Sequence, residues 1–388
     1  MIQVQLMDVC DFQGGSQPPK EEWLDSPVDG YIRMLQIRDF TQQESTKPEY
    51  VKASSRLKYC DEDDVLVARY GASIGKILRG LAGAYNVAIM KTVPIAEKVD
   101  KDYLYYFLIS SSFQNFITQD GSRAAQAGFN KEDLKEVMLP LPPIETQRKI
   151  AAVLDKAQEM IDLRKAQLEK LDEFLRSVFL DMFGDPVMER VSRWPRRNVN
   201  EICKIVSGGT PSKDISAYWV GTIPWVSPKD MKTKLLIDSI DHISAQAVKN
   251  TNLKILPEKT ILIVVRGMIL ARNLPIALTQ SPATINQDMK GLIIKNNQVE
   301  PIYLLHAMLN SERQLMTMIS NSAHGTKRVE TDDIGNFGVF LPPLPLQTQF
   351  AAIVEATEAQ KALMQQSLTE MENNFNSLMQ RAFRGDLF

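Results

Sequence analysis

The sequence predicts an α+β protein built twice over. Two globular domains, each a mixed or antiparallel sheet with helices, are expected at opposite ends of an antiparallel two-helix coiled coil. Three observations lead there. The chain repeats itself at an offset near 200 residues, two proline-led segments carry apolar residues at a 3.5-residue period, and short β-branched stretches lie between glycines.

The repeat is clearest where LPLPPIETQRKIAAVLD (from Leu139) is answered by LPPLPLQTQFAAIVE (from Leu341). A shift of 200 pairs Pro142 with Pro342, Pro143 with Pro343, Gln147 with Gln347 and Ala151-Ala152 with Ala351-Ala352. Further upstream, LMDVCDFQGGSQP (from Leu6) resembles VNEICKIVSGGTP (from Val199), with Gly14-Gly15 set opposite Gly208-Gly209. DDVLVARYG, ending at Gly71, resembles TILIVVRG, ending at Gly267, with Arg69 set opposite Arg266. The offset drifts from about 191 to 200 along these blocks, so the copies differ by small loop insertions. The segments are residues 1–140, 141–185, 186–340 and 341–388: domain, helix, domain, helix.

Each element follows from its residues. DDVLVARYG, YNVAIMKTV, TILIVVRG and KGLIIKN read as strands between polar or glycine turns. DYLYYFLISSSFQNFI (from Asp102) and IYLLHAMLNSERQLMTMI (from Ile302) read as helices. Pro142-Pro143 and Pro342-Pro343 fix the start of each long helix, and Gly184 and Gly385 stop them. Between these signals Ile150, Leu154, Leu171 and Leu175, and then Phe350, Val354 and Leu378, fall on one seam, with interruptions at Arg164 and Lys361.

Composition sets limits. With 44% hydrophobic and 24% charged residues the chain reads as a soluble globular protein, long enough for two or three cores. Three scattered cysteines argue against a secreted disulfide scaffold and suggest a reducing, cytoplasmic setting. No signal peptide is expected at MIQVQLMDVCDF, and apolar runs such as Ile261–Val265 are too short to span a bilayer. His242, His306 and His324 share no metal-ligand spacing, and His306 reads as an ordinary helical histidine. Asp61-Glu62-Asp63-Asp64 reads as a solvated turn before a strand. GASIGKI (from Gly71) has three residues between Gly and Gly-Lys and then Ile77, so it misses the phosphate-binding pattern. No cofactor-using methyltransferase motif and no nuclease carboxylate cluster is present, which predicts a chain without catalytic residues.

The formal charge of −2 conceals a contrast. Residues 1–140 carry 16 Lys+Arg against 20 Asp+Glu, whereas residues 186–340 carry 19 against 13. Loop cations such as Arg56, Lys58, Arg69 and Lys76, and then Lys229, Arg266, Arg272 and His324–Arg328, suit phosphate contacts and guanine reading.

Together these residues resemble the specificity subunit of Type I restriction–modification enzymes. The carriers are the two Leu-Pro-Pro…Gln helix starts, VSGGTPS (from Val206), GTIPWVSPKDM (from Gly221) and the terminal AFRGDLF. The first copy departs from the pattern, with GGSQPP for GGTPS and GYIRMLQIRDF for IPWVSPKDM. The resemblance implies two target recognition domains, each reading half of an asymmetric bipartite site in double-stranded DNA, with the helices setting the spacer. It implies two methylation subunits carrying S-adenosylmethionine, and restriction subunits using ATP and Mg, as partners. The chain itself would hold no cofactor and no metal. The residues expected on DNA are Arg56, Arg69, Lys76, Arg123, Lys213, Lys229, Arg266, Arg272, His324, Lys327 and Arg328. Two other classes fit the outline: a coiled-coil scaffold that spaces proteins without touching DNA, and a self-sufficient DNA-modifying enzyme.

Overall fold

The computed structural model describes residues 2–43, 45–121, 128–186, 194–321 and 326–387. The chain divides into two compact units, residues 1–165 with 366–388, and residues 166–365. Each unit therefore takes its helices from both repeats.

In the first unit an antiparallel sheet runs in the order Cys10–Gly14, Ile89–Pro94, Leu66–Ala68, Ile77–Leu78. Beside it lies a mixed sheet in the order Tyr50–Lys52, Tyr31–Leu35, Gly83–Tyr85, Tyr59–Cys60. The central strand reads as an unbroken apolar run because both of its faces are covered. Val65 and Val67 enter one core with Tyr103 and Phe107, while Leu66 and Ala68 enter another with Tyr85. Ile2–Gln5 and Met138–Leu141 pair as a ribbon that brings the two ends of the domain together.

The second unit repeats this plan with an extra edge. Its main sheet runs Cys203–Ser207, Met289–Ile294, Ile261–Val264, Ile276–Thr279, Leu235–Leu236, and a smaller sheet runs His242–Ile243, Ile223–Val226, Thr284–Ile285. Ile261, Leu262, Ile263 and Val264 are all fully buried. The closing ribbon here is Arg196–Asn198 against Gly338–Phe340.

The long helices span Ile144–Phe183 and Leu344–Arg384, 40 and 41 residues, or about 60 Å each at 1.5 Å per residue. Both end at a left-handed glycine, Gly184 (φ 86°) and Gly385 (φ 91°), whose amides close back on Leu180 and Arg381. Burial recurs at 147, 150, 154, 157, 161, 164, 168, 171, 175, 178 and 182, and again 200 residues later. This alternation of three and four is a heptad seam. Ile150, Leu154, Leu175, Phe350 and Val354 are buried, and Leu171 and Leu378 are half-buried. Arg164 and Lys361 occupy seam positions rather than breaking the seam. Half-buried Lys361 is bonded to Asp172 (3.2 Å) and Glu358 (3.1 Å).

Within each unit the start of one long helix lies against the end of the other. Ile150, Ala151 and Leu154 share a core with Met379, Ala382 and Phe383 in the first unit. Leu175, Phe179 and Phe183 share one with Phe350, Ala351 and Val354 in the second. The helices are antiparallel in both. The aromatic contacts follow the repeat: Tyr103 meets Phe383 at 5.3 Å, and Tyr303 meets Phe183 at 4.8 Å.

The paired glutamines explain the Leu-Pro-Pro…Gln motif. Buried Gln147 accepts from Asp100 N (2.8 Å) and donates to Lys98 O (2.9 Å) and Pro142 O (2.8 Å). Buried Gln347 does the same with Glu300 N, Gln298 O and Pro342 O. Each side chain locks a long helix to the loop before a domain helix. Gln347→Ala leaves those three backbone groups without partners, and the expected cost is roughly 2–4 kcal/mol, read from the shift in denaturation midpoint.

Candidate nucleic-acid interface

In both units the strand ends converge on one asparagine. Asn86 N donates to Leu35 O (3.1 Å), while its own Oδ1 and carbonyl accept from Ala88 N and Ile89 N. Around it Gly15 N donates to Ile89 O, Ser16 N to Tyr85 O, and Arg69 N to Ala88 O (2.9 Å). The second unit reproduces every bond. Asn286 N donates to Val226 O (2.9 Å), Asp288 N to Asn286 Oδ1, and Met289 N to Asn286 O. Gly208 N reaches Met289 O, Gly209 N reaches Ile285 O, and Val265 N reaches Asp288 O (2.8 Å). Neither asparagine stands out in the sequence: their shared signal is a single Asn at the 200-residue offset, between less similar neighbours.

This register corrects two pairings. Gly15, not Gly14, is the counterpart of Gly208: a Cβ at Gly15 would lie 2.1 Å from Asn86 O, and one at Gly208 2.0 Å from Asn286 O. Gly14 and Gly209 are under no such restriction, so the two glycine pairs match only by eye. Arg69 is likewise not the counterpart of Arg266. Tyr70 bridges Gly128 as Arg266 bridges Arg328, and Phe129 N reaches Arg69 O as Val329 N reaches Val265 O. Arg266 thus corresponds to Tyr70, and Arg69 to buried Val265. Pairing arginine with arginine would require an inserted residue, whereas the bonds keep one constant offset from Leu66 and Leu262 through Gly71 and Gly267.

The expected contact residues divide around these hubs. In the first unit Ser16, next to Gly15, ties down the exposed Arg56 loop: Ser16 Oγ donates to Arg56 O (3.3 Å) and accepts from Lys58 N (3.0 Å). Arg69 lies over the Tyr70 ring at 4.6 Å and donates to Phe129 O. Lys76 is exposed, with its carbonyl on Ala68 N. In the second unit Lys213 is exposed on the loop after Gly209, and Arg272 on the turn after Met268–Ala271. Lys229 follows the strand Ile223–Val226 and is bonded to Asp241 (2.7 Å), which holds its ammonium protonated above the ordinary lysine range. Arg266, Lys327 and Arg328 come together through the Arg266–Arg328 bridge and Gly267 N on Lys327 O (3.1 Å). Arg328 also pairs with Glu330 (2.7 Å). Arg123 and His324 lie outside the described residues.

The other candidates settle as structural. Asp64 is buried rather than solvated; its carboxylate accepts from Asp61 N and bonds Lys91 (2.7 Å) and Lys101 (3.3 Å). These bonds outweigh burial and keep it below the usual carboxylate range. GASIGKI turns into the short strand Ile77–Leu78, so no helix start faces it. Buried His306 lies edge-on to Phe350 at 5.2 Å, and burial pushes its pKa down to about 3. Among the described residues no group of His, Cys, Asp or Glu is arranged to hold a metal ion. No helix among them is long and apolar enough to cross a membrane.

Each of the two α+β units thus carries the same strand-end hub and shares its core with both long helices. The sequence model of the Type I restriction modification DNA specificity domain matches residues 2–173 and 192–373, and the chain belongs to that family. It is 29% identical over 262 residues to the EcoR124I/EcoR124II specificity subunit of Escherichia coli, covering 65% of this chain and 62% of that one. It is 24% identical over 273 residues to the MjaIX specificity subunit of Methanocaldococcus jannaschii, covering 66% of this chain and again 62% of the relative. The matched part therefore spans about three fifths of those two relatives. The putative MjaX specificity subunit of the same archaeon is 21% identical over 94% of this chain and 85% of its own. Among solved structures, a chain from a study of assembly and conformational transition in the type I R-M system has a TM-score of 0.62 at 20% identity, covering 100% of this chain and 98% of that one. The Type-I restriction-modification S subunit from M. genitalium has a TM-score of 0.58 at 16% identity, covering 98% and 96%. These two likenesses support the fold.

Proposed function

We propose that this chain is the DNA sequence-recognition subunit of a Type I restriction–modification complex. Each unit reads one half of an asymmetric bipartite site in double-stranded DNA, and the paired long helices set the spacer and dock two methylation subunits. The carrying observation is that one backbone hub, repeated bond for bond, displays different side chains in the two units: Tyr70 against Arg266, Gly128 against Arg328. A common frame with unlike loops suits two different half-sites, whereas identical halves would suit a palindrome. Catalysis belongs to the partners in this reading. S-adenosylmethionine sits in the methylation subunits, ATP and Mg serve restriction subunits where those join, and the chain works in the cytoplasm.

The test is DNA binding by the chain purified with methylation subunits of its host. Affinity for duplex DNA should fall steeply and log-linearly with salt. A salt-independent or absent affinity would favour a scaffold that spaces proteins. Methyl transfer by the chain alone with S-adenosylmethionine is expected to be undetectable; turnover would make it a self-sufficient enzyme.

A further inference from the structure

Cations with no carboxylate beside them are costly to gather in a free protein, so where they gather invites a partner. At the hub of the second unit the strands Cys203–Ser207 and Ile261–Val264 end where Met289–Ile294 begins. Lys290 stands opposite Ser207, and its half-buried ammonium donates to Ser207 Oγ (2.7 Å). Among the described residues no carboxylate is bonded to it. Burial and the nearby Arg266 guanidinium both push it below the ordinary lysine range. Arg266 is held only loosely, 4.0 Å from Asp288, and its strand bridges Arg328.

The internal repeat says what kind of partner this is. Both halves of a duplex present the same phosphates, so a phosphate anchor is useful in both units. Base edges differ between half-sites, so a base reader need not recur. The register places Met90 opposite Lys290, Tyr70 opposite Arg266 and Gly128 opposite Arg328, so none of these three cations recurs in the first unit, where Arg69, from a different position, lies beside Gly14 instead. By contrast, Arg38 and Lys229 stand at matching positions, each the second residue of a short helical turn whose third residue, Asp39 or Asp230, caps its start. Arg38 is bonded to Glu49 as Lys229 is to Asp241. A recurring cation of that kind belongs to the shared frame; the Lys290 group belongs to what differs.

We infer that Lys290, with Arg266, reads the major-groove edge of a guanine in the half-site of the second unit. Guanine N7 and O6 are both acceptors, which the Lys290 ammonium, with no carboxylate bonded to it among the described residues, and the loosely held Arg266 guanidinium complement. This rests on the DNA-recognition reading above and adds a residue and a base to it.

The test selects bound sequences from a randomised duplex pool, using the chain with its methylation subunits, and compares wild type with Lys290→Met. Methionine stands at the matching place in the first unit, so the sheet should tolerate it. One or two neighbouring positions of one half-site should lose their guanine preference, with discrimination falling about ten-fold. The other half-site and the spacer should stay unchanged. Arg266→Tyr, at an exposed side chain, is the second variant and should relax the same half-site. Replacing that guanine by 7-deazaguanine should weaken wild type and leave Lys290→Met indifferent. An even loss over all sequences with a smaller salt slope would make Lys290 a phosphate contact and overturn the inference. An unchanged motif in both variants would make the group structural. If wild type itself selects no sequence, the recognition reading falls first; if it selects two half-sites and the variants match it, only this inference fails.

Discussion

Phe350→Ala should destabilise the unit formed by residues 166–365 by about 3–5 kcal/mol. Phe350 is fully buried and meets Phe179 at 5.4 Å, Phe183 at 5.5 Å and His306 at 5.2 Å, all close to edge-on. Truncation removes the apolar area, opens a cavity, and breaks three ring contacts to two other elements, the long helix Ile144–Phe183 and the helix Pro301–Asn310. Collapse cannot fill the space easily, because Phe179, Phe183 and Tyr303 already hold one another at about 5–6 Å. The measurement is chemical denaturation of that unit's transition, where the midpoint should drop with little change in slope. A second readout tests the geometry. With the ring gone, water reaches His306, and its pKa should rise from about 3 toward the ordinary histidine range. A variant that lost less than 1 kcal/mol and left His306 unmoved would show that the helix seam is not anchored there.

Much of this architecture was legible in the residues. The 3.5-residue period, the double proline starts and the glycine stops need only local chemistry, and the long helices begin and end where those signals stand. The buried run Ile261–Val264 was legible as a strand because apolar β-branched residues between turns have few other uses. Registration between the copies was less so. Arg69 with Arg266, and Gly14 with Gly208, match as letters, but backbone bonds to Ala88 and Asp288 decide which residue stands where. A one-residue slip at a strand end changes which side chain reaches the rim. Lys290 was invisible for a related reason. It sits inside KGLIIKN, which reads as strand, and only pairing with Ser207 brings its ammonium to the rim beside Arg266.

Exchanging residues 196–340 for the corresponding domain of another family member should replace one half-site completely and leave the other unaltered. The cut is set by the closing ribbon. Arg196–Asn198 and Gly338–Phe340 are paired, so both junctions fall at one place and the graft carries its own closure. The hub travels with it, because every bond around Asn286 lies between residues 208 and 289. What the graft must keep with its host is the helix contact, where Tyr303 meets Phe183 and Glu300 N meets Gln347. A donor retaining a tyrosine and a carboxylate cap there should dock; one lacking them should fail by misfolding rather than by misreading. Specific sites are typically bound 10³–10⁷-fold more tightly than non-specific DNA, so the switch should be nearly complete. Methylome sequencing of a host carrying the hybrid reads it directly. A change in both half-sites would show that the units do not read independently, and a change in spacing alone would move recognition away from the hubs.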